Sequence, residues 1–213
     1  MGLPGIVNDE IGSQLQIELN LRRELSFPEQ RMVEQWHAAV YFTDEDSDLE
    51  DDYDGGQVVG HAHVVKCRLG APAVFDILDS LESDLHTVSA AVIDPRSGYP
   101  TDEVEDTIEG FGQDFLILNR VQIAKGFRGR GIGRWFAAEV INTLSPGAGF
   151  VATYPAPMDD SEGLARRRAE SKLRSVWSEI GFEPLNSDIM ILDLSLITLD
   201  EKLKGLRKRF GAL

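Results

Sequence analysis

At 213 residues the chain has room for one domain with a substantial core, and a second independent core is not expected. Its formal net charge of −15 argues against a nucleic-acid partner, because phosphate binding needs a basic face, and it leans towards a cationic substrate. No apolar run reaches the length of a membrane span, Met1-Gly-Leu-Pro4 lacks the features of a signal peptide, and the lone Cys67 cannot form an internal disulfide, so no membrane association and a cytoplasmic location are expected.

Residues 1–13 read as a mobile start. Leu15, Ile17, Leu19 and Leu21 then alternate with polar residues, the period of a strand with one buried face. Ser26-Phe-Pro-Glu29 has the form of a capping box, which predicts a short helix from Pro28 to about Gln35, and a second strand follows at about Ala38–Thr43. Between Asp44 and Asp54 eight of eleven residues are acidic. Asp44, Asp46 and Asp48 have the spacing of a calcium loop, but Leu49 replaces its turn glycine and Gly55 its bidentate glutamate, so a solvated hairpin loop is expected. A third strand runs from Gln57 to Leu69, with His61 and His63 on one face. Two histidines at this spacing invite a metal, yet no further ligand lies close in sequence, so no metal is expected. Cys67 sits among apolar neighbours and reads as packing rather than as a nucleophile.

Residues 70–114 carry Val74, Ile77, Leu78, Leu81, Leu85, Val88 and Val92 at helical spacing, which predicts one long amphipathic helix from Pro72 to about Ile93. Its apolar stripe either covers the sheet or forms a dimer face; the former is expected, and a homodimer stays open.

The stretch from Phe115 to Phe136 carries the chemistry. An apolar, β-branched run to Ile123 predicts a strand, and glycines follow at 126, 129, 131 and 133. Trp135, Phe136, Val140, Ile141 and Leu144 then share one face of a helix that ends at Ser145-Pro-Gly147. From Arg120 to Arg134 there are five basic residues and no acidic one, a local reversal of the chain's charge. A helix N-terminus bearing Arg128, Arg130 and Arg134 is suited to phosphate. A dinucleotide fingerprint fits worse, because Arg134 occupies its last glycine position, and the Gly-Lys-Ser/Thr of a P-loop is missing.

Arg128-Gly-Arg-Gly-Ile-Gly133 resembles Arg/Gln-x-x-Gly-x-Gly/Ala, the acetyl-CoA pyrophosphate loop of the GNAT superfamily of N-acetyltransferases. Further on, Gly149 to Tyr154 reads as a fifth strand closed by Pro155 and Pro157, and residues 161–180 as a helix. Val176-Trp-Ser-Glu-Ile-Gly-Phe182 resembles the Leu-Tyr-x-x-x-Gly-Phe segment of the same superfamily, and Ile189–Leu194 supplies a closing strand. Residues 199–213 form a basic, partly helical tail, docked or frayed.

The resemblance implies an α/β fold with a mixed, mostly antiparallel central sheet of about six or seven strands, flanked by helices and splayed between the fourth and fifth strands. Residues 70–114 would be a helical insertion between the third and fourth strands of a single domain spanning residues 1–213. It implies an acyl-CoA-dependent N-acyltransferase that moves acetyl from acetyl-CoA to a primary amine of a small molecule or a peptide. Backbone groups of Val121, Gln122 and Ile123 would meet the pantetheine arm, and the amides of Arg128, Gly129, Arg130, Gly131, Ile132 and Gly133, with Arg134, the pyrophosphate. Trp177, counted with the CoA-contacting residues, stands where the superfamily often has its thiolate-protonating tyrosine, and Glu170 where it often has an asparagine. An indole is no acid, so Tyr154, His61 and His63 are the candidates for proton transfer. Asp159 and Asp160 can bind a cationic amine or cap the following helix. The alternative is a GNAT-fold module that holds CoA or acyl-CoA as a sensor or regulator without turnover.

Overall fold

The computed structural model describes residues 14–22, 31–43, 56–110, 112–157 and 162–211. The expectations for the mobile start, the Ser26–Glu29 capping box, the acidic loop from Asp44 to Asp54 and the pair Asp159 and Asp160 lie outside these residues.

Among the described residues seven strands form one sheet in the order β1-β2-β3-β4-β5-β7-β6. Strands β1 (Leu15–Arg22), β2 (Val33–Phe42), β3 (Gln57–Arg68) and β4 (Asp114–Ile123) pair antiparallel in sequence. Strand β5 (Ala148–Thr153) joins β4 in parallel, and β7 (Met190–Asp193) pairs antiparallel with β5 and with the two-residue β6 (Glu183–Pro184). This mixed, mostly antiparallel architecture is the one the resemblance implies. Between β3 and β4 stand helices α1 (Ala73–Leu81), α2 (Ser83–Val92) and the short α3 (Asp102–Glu105). Helix α4 (Ile132–Leu144) links β4 to β5, α5 (Gly163–Ser178) links β5 to β6, and α6 (Thr198–Arg209) follows β7.

Three readings of the sequence change. The short helix expected to reach Gln35 gives way at Val33, which is buried opposite Cys67 and opens β2. Val33 and Glu34 pair with β3, and from Gln35 onward β2 pairs with β1 as well, so tertiary context overrides the local signal. The expected buried face of β1 is only partly covered, since β1 is an edge strand whose Ile17 and Leu21 each stay 38% exposed. The long helix of the insert is two helices, broken at Glu82, whose backbone is extended. The apolar period runs through the break unchanged, so Val74, Leu78, Leu85, Val88 and Val92 all face one way.

Each face of the sheet has its own core. On one, α1 and α2 pack on Val65, Cys67, Ile117 and the stacked rings of Phe115 and Phe150, whose centroids are 5.3 Å apart. The insert therefore covers the sheet, and its burial pushes the Cys67 thiol up, away from the reactive thiolate. On the other face α4 lays Ile132, Phe136, Val140 and Ile141 against Val40, Val64, Leu116 and Leu118. Burial of these two apolar layers is the main favourable term of the fold, at roughly 25 cal/mol per Å².

The C-terminal tail docks. Phe210 stacks on Trp135 with centroids 4.7 Å apart, and Glu139 of α4 accepts Trp135 Nε1 at 2.9 Å and Arg207 Nε and Nη2 at 2.8 and 2.6 Å. Arg207 is partly solvated, so its contribution is discounted to that of a surface pair. Arg207→Ala is expected to cost about 1 kcal/mol and to lower the melting temperature by about 2–4 °C, read by calorimetry.

Candidate functional site

Strands β4 and β5 begin side by side and then part. Asp114, Leu116 and Ile117 pair with Ala148, Val151 and Ala152, and Thr153 Oγ1 donates to the Leu118 carbonyl at 2.8 Å. Beyond that tie the strands diverge. On the opposite edge of β4, His63 faces Arg120 while Val64 faces Leu118, so Asn119 is the extra residue of a β-bulge. A bulge adds local twist and bends its strand, which places this one where the separation begins.

The separation opens a cleft of about 660 Å³, within the size range of small-molecule sites. Residues Leu118 to Ile123 form one wall, Thr153 to Pro157 the other, the glycine turn one end, and Val176 and Trp177 of α5 part of the lining. Gly129 and Gly131 take φ of 79° and 87°, the left-handed conformations that favour glycine. Gly131 is also the N-cap of α4 and, having no side chain, does not cap that end. The first amides of a helix have no acceptor within it, so the loop presents donors and a partial positive charge.

Among the predicted cofactor residues, Val121, Gln122, Ile123, Arg128, Gly129, Gly131, Ile132, Gly133, Arg134 and Trp177 all border the cleft. Arg130 does not. Arg128 Nε donates to the Ile123 carbonyl at 2.7 Å, tying the loop to the end of β4. Arg134 is ion-paired with Glu179, and its guanidinium lies so close that a Cβ on Gly131 would meet Nη2 at 3.0 Å. Its Nε is buried without a partner among the described residues, and burial followed by Arg209 lowers its pKa. An orphaned cationic donor beside uncapped amides, in a loop whose Gly129, Gly131 and Gly133 carry no Cβ, fits a pyrophosphate.

The candidates for proton transfer divide. Tyr154 borders the cleft, and its hydroxyl accepts a long hydrogen bond from Arg166 Nη2 at 3.4 Å. Arg166 also donates to Glu170 at 2.9 Å, so Glu170 turns to its own helix rather than to the cleft. His61 is exposed opposite Gln122, and neither it nor His63 borders the cleft. His63 is buried, stacked parallel on His37 with centroids 4.7 Å apart, and its pKa is lowered to about 4 by burial and by His37. The expectation of a base near neutrality thus fails for His63, because burial and the neighbouring ring both disfavour its charged form. A nuclear magnetic resonance titration should find it titrating near pH 4. The sign follows: the unfolded chain takes up this proton near the ordinary value of 6.5, so His63 withdraws stability, on the order of 3 kcal/mol, as pH falls from about 6.5 to about 4. Denaturant melts of wild type and His63→Leu across that window check this, the variant losing less.

Among the described residues, no group of three or more His, Cys, Asp or Glu side chains is arranged to hold a metal ion. Asn119, Thr153 and Lys172, none of them a predicted site residue, also border the cleft. The polar Asn119 in an apolar strand was the available signal, whereas Thr153 shows its role only once the strands are seen to separate.

No protein-family model and no curated protein matches the chain. Solved structures with a similar fold include a tyrosine-to-phenylalanine mutant of KacT, at 12% identity over 88% of this chain and 98% of that one, with a TM-score of 0.44. AtaT complexed with acetyl-methionyl-tRNAfMet matches at 12% identity over 87% and 99%, with a TM-score of 0.43. AtaTR bound with AcCoA matches at 12% over 92% and 97%, with a TM-score of 0.41. At these values the likeness is loose, and no residue's role passes across it.

Proposed function

We propose that the chain is an acyl-CoA-dependent N-acyltransferase that transfers acetyl from acetyl-CoA to a primary amine. The observation that carries this reading is the cleft between β4 and β5, closed at one end by the uncapped, positive-φ glycine turn before α4. In the proposed complex the amides from Arg128 to Gly133, with Arg134, hold the pyrophosphate, and free backbone groups of β4 line the pantetheine. The Ile123 carbonyl already accepts from Arg128 and the Gln122 carbonyl points at β3, which leaves that contact mainly to Val121. The amine nitrogen attacks the thioester carbonyl, the C–N bond forms, the C–S bond breaks, and the amine's surplus proton goes to a base while the thiolate leaves. Of the residues named for proton transfer, Tyr154 alone borders the cleft.

A second reading rests on Trp177, which lines the cleft where an acid would be expected and cannot serve as one. In that reading the fold binds CoA or acyl-CoA as a signal and releases no thiol.

Calorimetric titration with acetyl-CoA and CoA, followed by thiol release across polyamines, aminoglycosides, peptide N-termini and an aminoacyl-tRNA, tests both. Binding with amine-dependent thiol release supports the transferase. Binding without release on any amine supports the sensor, and no binding removes both. The aminoacyl-tRNA arm tests the exclusion of nucleic acid drawn from net charge.

A further inference from the structure

Asn119, the extra residue of the β4 bulge, is where the cleft, the insert and the histidine pair meet. Its Nδ2 lies 3.1 Å from Glu82 Oε2 and 3.0 Å from His63 Nδ1. Glu82 sits at the break between α1 and α2, and the same Oε2 also takes Arg120 Nη2 at 2.8 Å.

Glu82 fixes the orientation of the whole chain of bonds. A carboxylate only accepts hydrogen bonds, so the nitrogen end of the Asn119 amide must face it; the reversed amide would set two oxygens against each other. The second amide hydrogen then falls to His63 Nδ1, which must be the unprotonated ring nitrogen. His63 is neutral near pH 7, so its proton sits on Nε2, a buried atom with no partner among the described residues. Both hydrogens of Asn119 are used, and the one side-chain polar atom it has left, on a residue that borders the cleft, is Oδ1, an acceptor with two lone pairs.

The side of the sheet matters as well. Glu82 reaches Asn119 from the insert, which packs on one face, whereas the glycine turn leads into α4 on the other. A group meeting Oδ1 therefore comes from the side away from the phosphate loop. It must bring an N–H or O–H, and an amide oxygen is too weak a base to take the proton.

We propose that Asn119 Oδ1 accepts a hydrogen bond from the nitrogen of the second substrate, a primary amine, and that Glu82 is the positioning residue that keeps this oxygen turned to the cleft. The inference rests on the acyltransferase reading above. It gives the insert a role in the site: the helix break supplies the carboxylate that orients the amine's partner.

The test uses the full chain, isotopically labelled with nitrogen. Long-range nitrogen–proton spectra should show His63 protonated at Nε2 in the wild type and in Glu82→Gln, whose amide oxygen still accepts from Asn119, and a mixture of tautomers in Glu82→Leu. Ethanolamine, spermidine and glycinamide serve as amine probes on the CoA-bound protein. At least one should shift the Asn119 side-chain amide resonance, with an affinity about fivefold weaker in Asn119→Leu and Glu82→Leu and restored in Glu82→Gln, the loss expected for one hydrogen bond. Protonation of His63 at Nδ1 in the wild type, or no response of Asn119 to any of the three amines, overturns the proposal. CoA affinity on the same variants separates the two levels: it should stay within about twofold of wild type, one hydrogen bond being worth more than that. Failure of wild type to bind CoA sinks the acyltransferase reading, whereas CoA binding without an amine response sinks this inference alone.

Discussion

Gly131→Glu is expected to weaken CoA binding by at least about 100-fold, equivalent to about 2.7 kcal/mol, in a protein that still folds. Three effects act in the same direction. At φ of 87° a residue with a Cβ is strained by roughly 1–2 kcal/mol, which tilts the loop away from the conformation that exposes its amides. The new Cβ meets the Arg134 guanidinium at 3.0 Å, so the carboxylate competes for the cation assigned to pyrophosphate. What charge remains unpaired repels the phosphates directly, at the end of a helix whose field otherwise favours anions. Calorimetric titration with CoA measures the loss, and a thermal melt separates it from unfolding. Gly126→Ala is the control, because φ there is not positive and a Cβ would meet nothing within 4 Å. If Gly131→Glu binds within about threefold of wild type, less than 1 kcal/mol, the pyrophosphate does not lie on this turn.

The parts of the chain that were legible in the sequence are those where a local rule and the fold agree. Arg128 to Gly133 read as a glycine turn leading into a helix because glycines, arginines and a following amphipathic helix are all local features, and the structure places most of them at one cleft. The strand and helix around that turn were legible for the same reason. What escaped depends on contacts between distant segments. The break at Glu82 leaves the apolar period intact, and its partners, Asn119 and Arg120, lie in the next strand. His63 looked like a neutral-pH base because alternation places it on a face but cannot tell how deeply that face is buried or that His37 stacks on it. The two-residue β6 is too short to carry a period at all. Tail docking follows from Trp135 and Glu139, which are far from Phe210 and Arg207 in sequence and meet them only in the fold.

Gly60→Val is expected to destabilise the protein by about 3 kcal/mol or more, at the upper end for overpacking. Gly60 lies on β3 opposite Ile123 at the end of β4, and a Cβ there would stand 2.5 Å from the Gln122 carbonyl oxygen and 2.6 Å from Ile123 Cδ1. The first of these is backbone and cannot rotate away, so relief requires β3 and β4 to separate. The two γ carbons of valine add to the displacement. Ile123 also packs on Gly133, where a Cβ would meet its Cγ1 at 3.1 Å, so the side chain is held between the third strand and the first turn of α4. Pushing it away from Gly60 moves it towards the glycine loop. The substitution should therefore do two things at once: lower the denaturant midpoint, and weaken CoA binding in the fraction that remains folded, by about tenfold for a displacement costing 1.4 kcal/mol at the loop. Gly205→Ala in α6, where a Cβ meets nothing within 4 Å, is the opposite case and should stabilise by up to about 1 kcal/mol. Equilibrium unfolding of the three proteins places them in order. Wild-type stability in Gly60→Val would mean that the strands are looser than this register requires, and unchanged CoA affinity in a destabilised variant would uncouple the end of β4 from the loop.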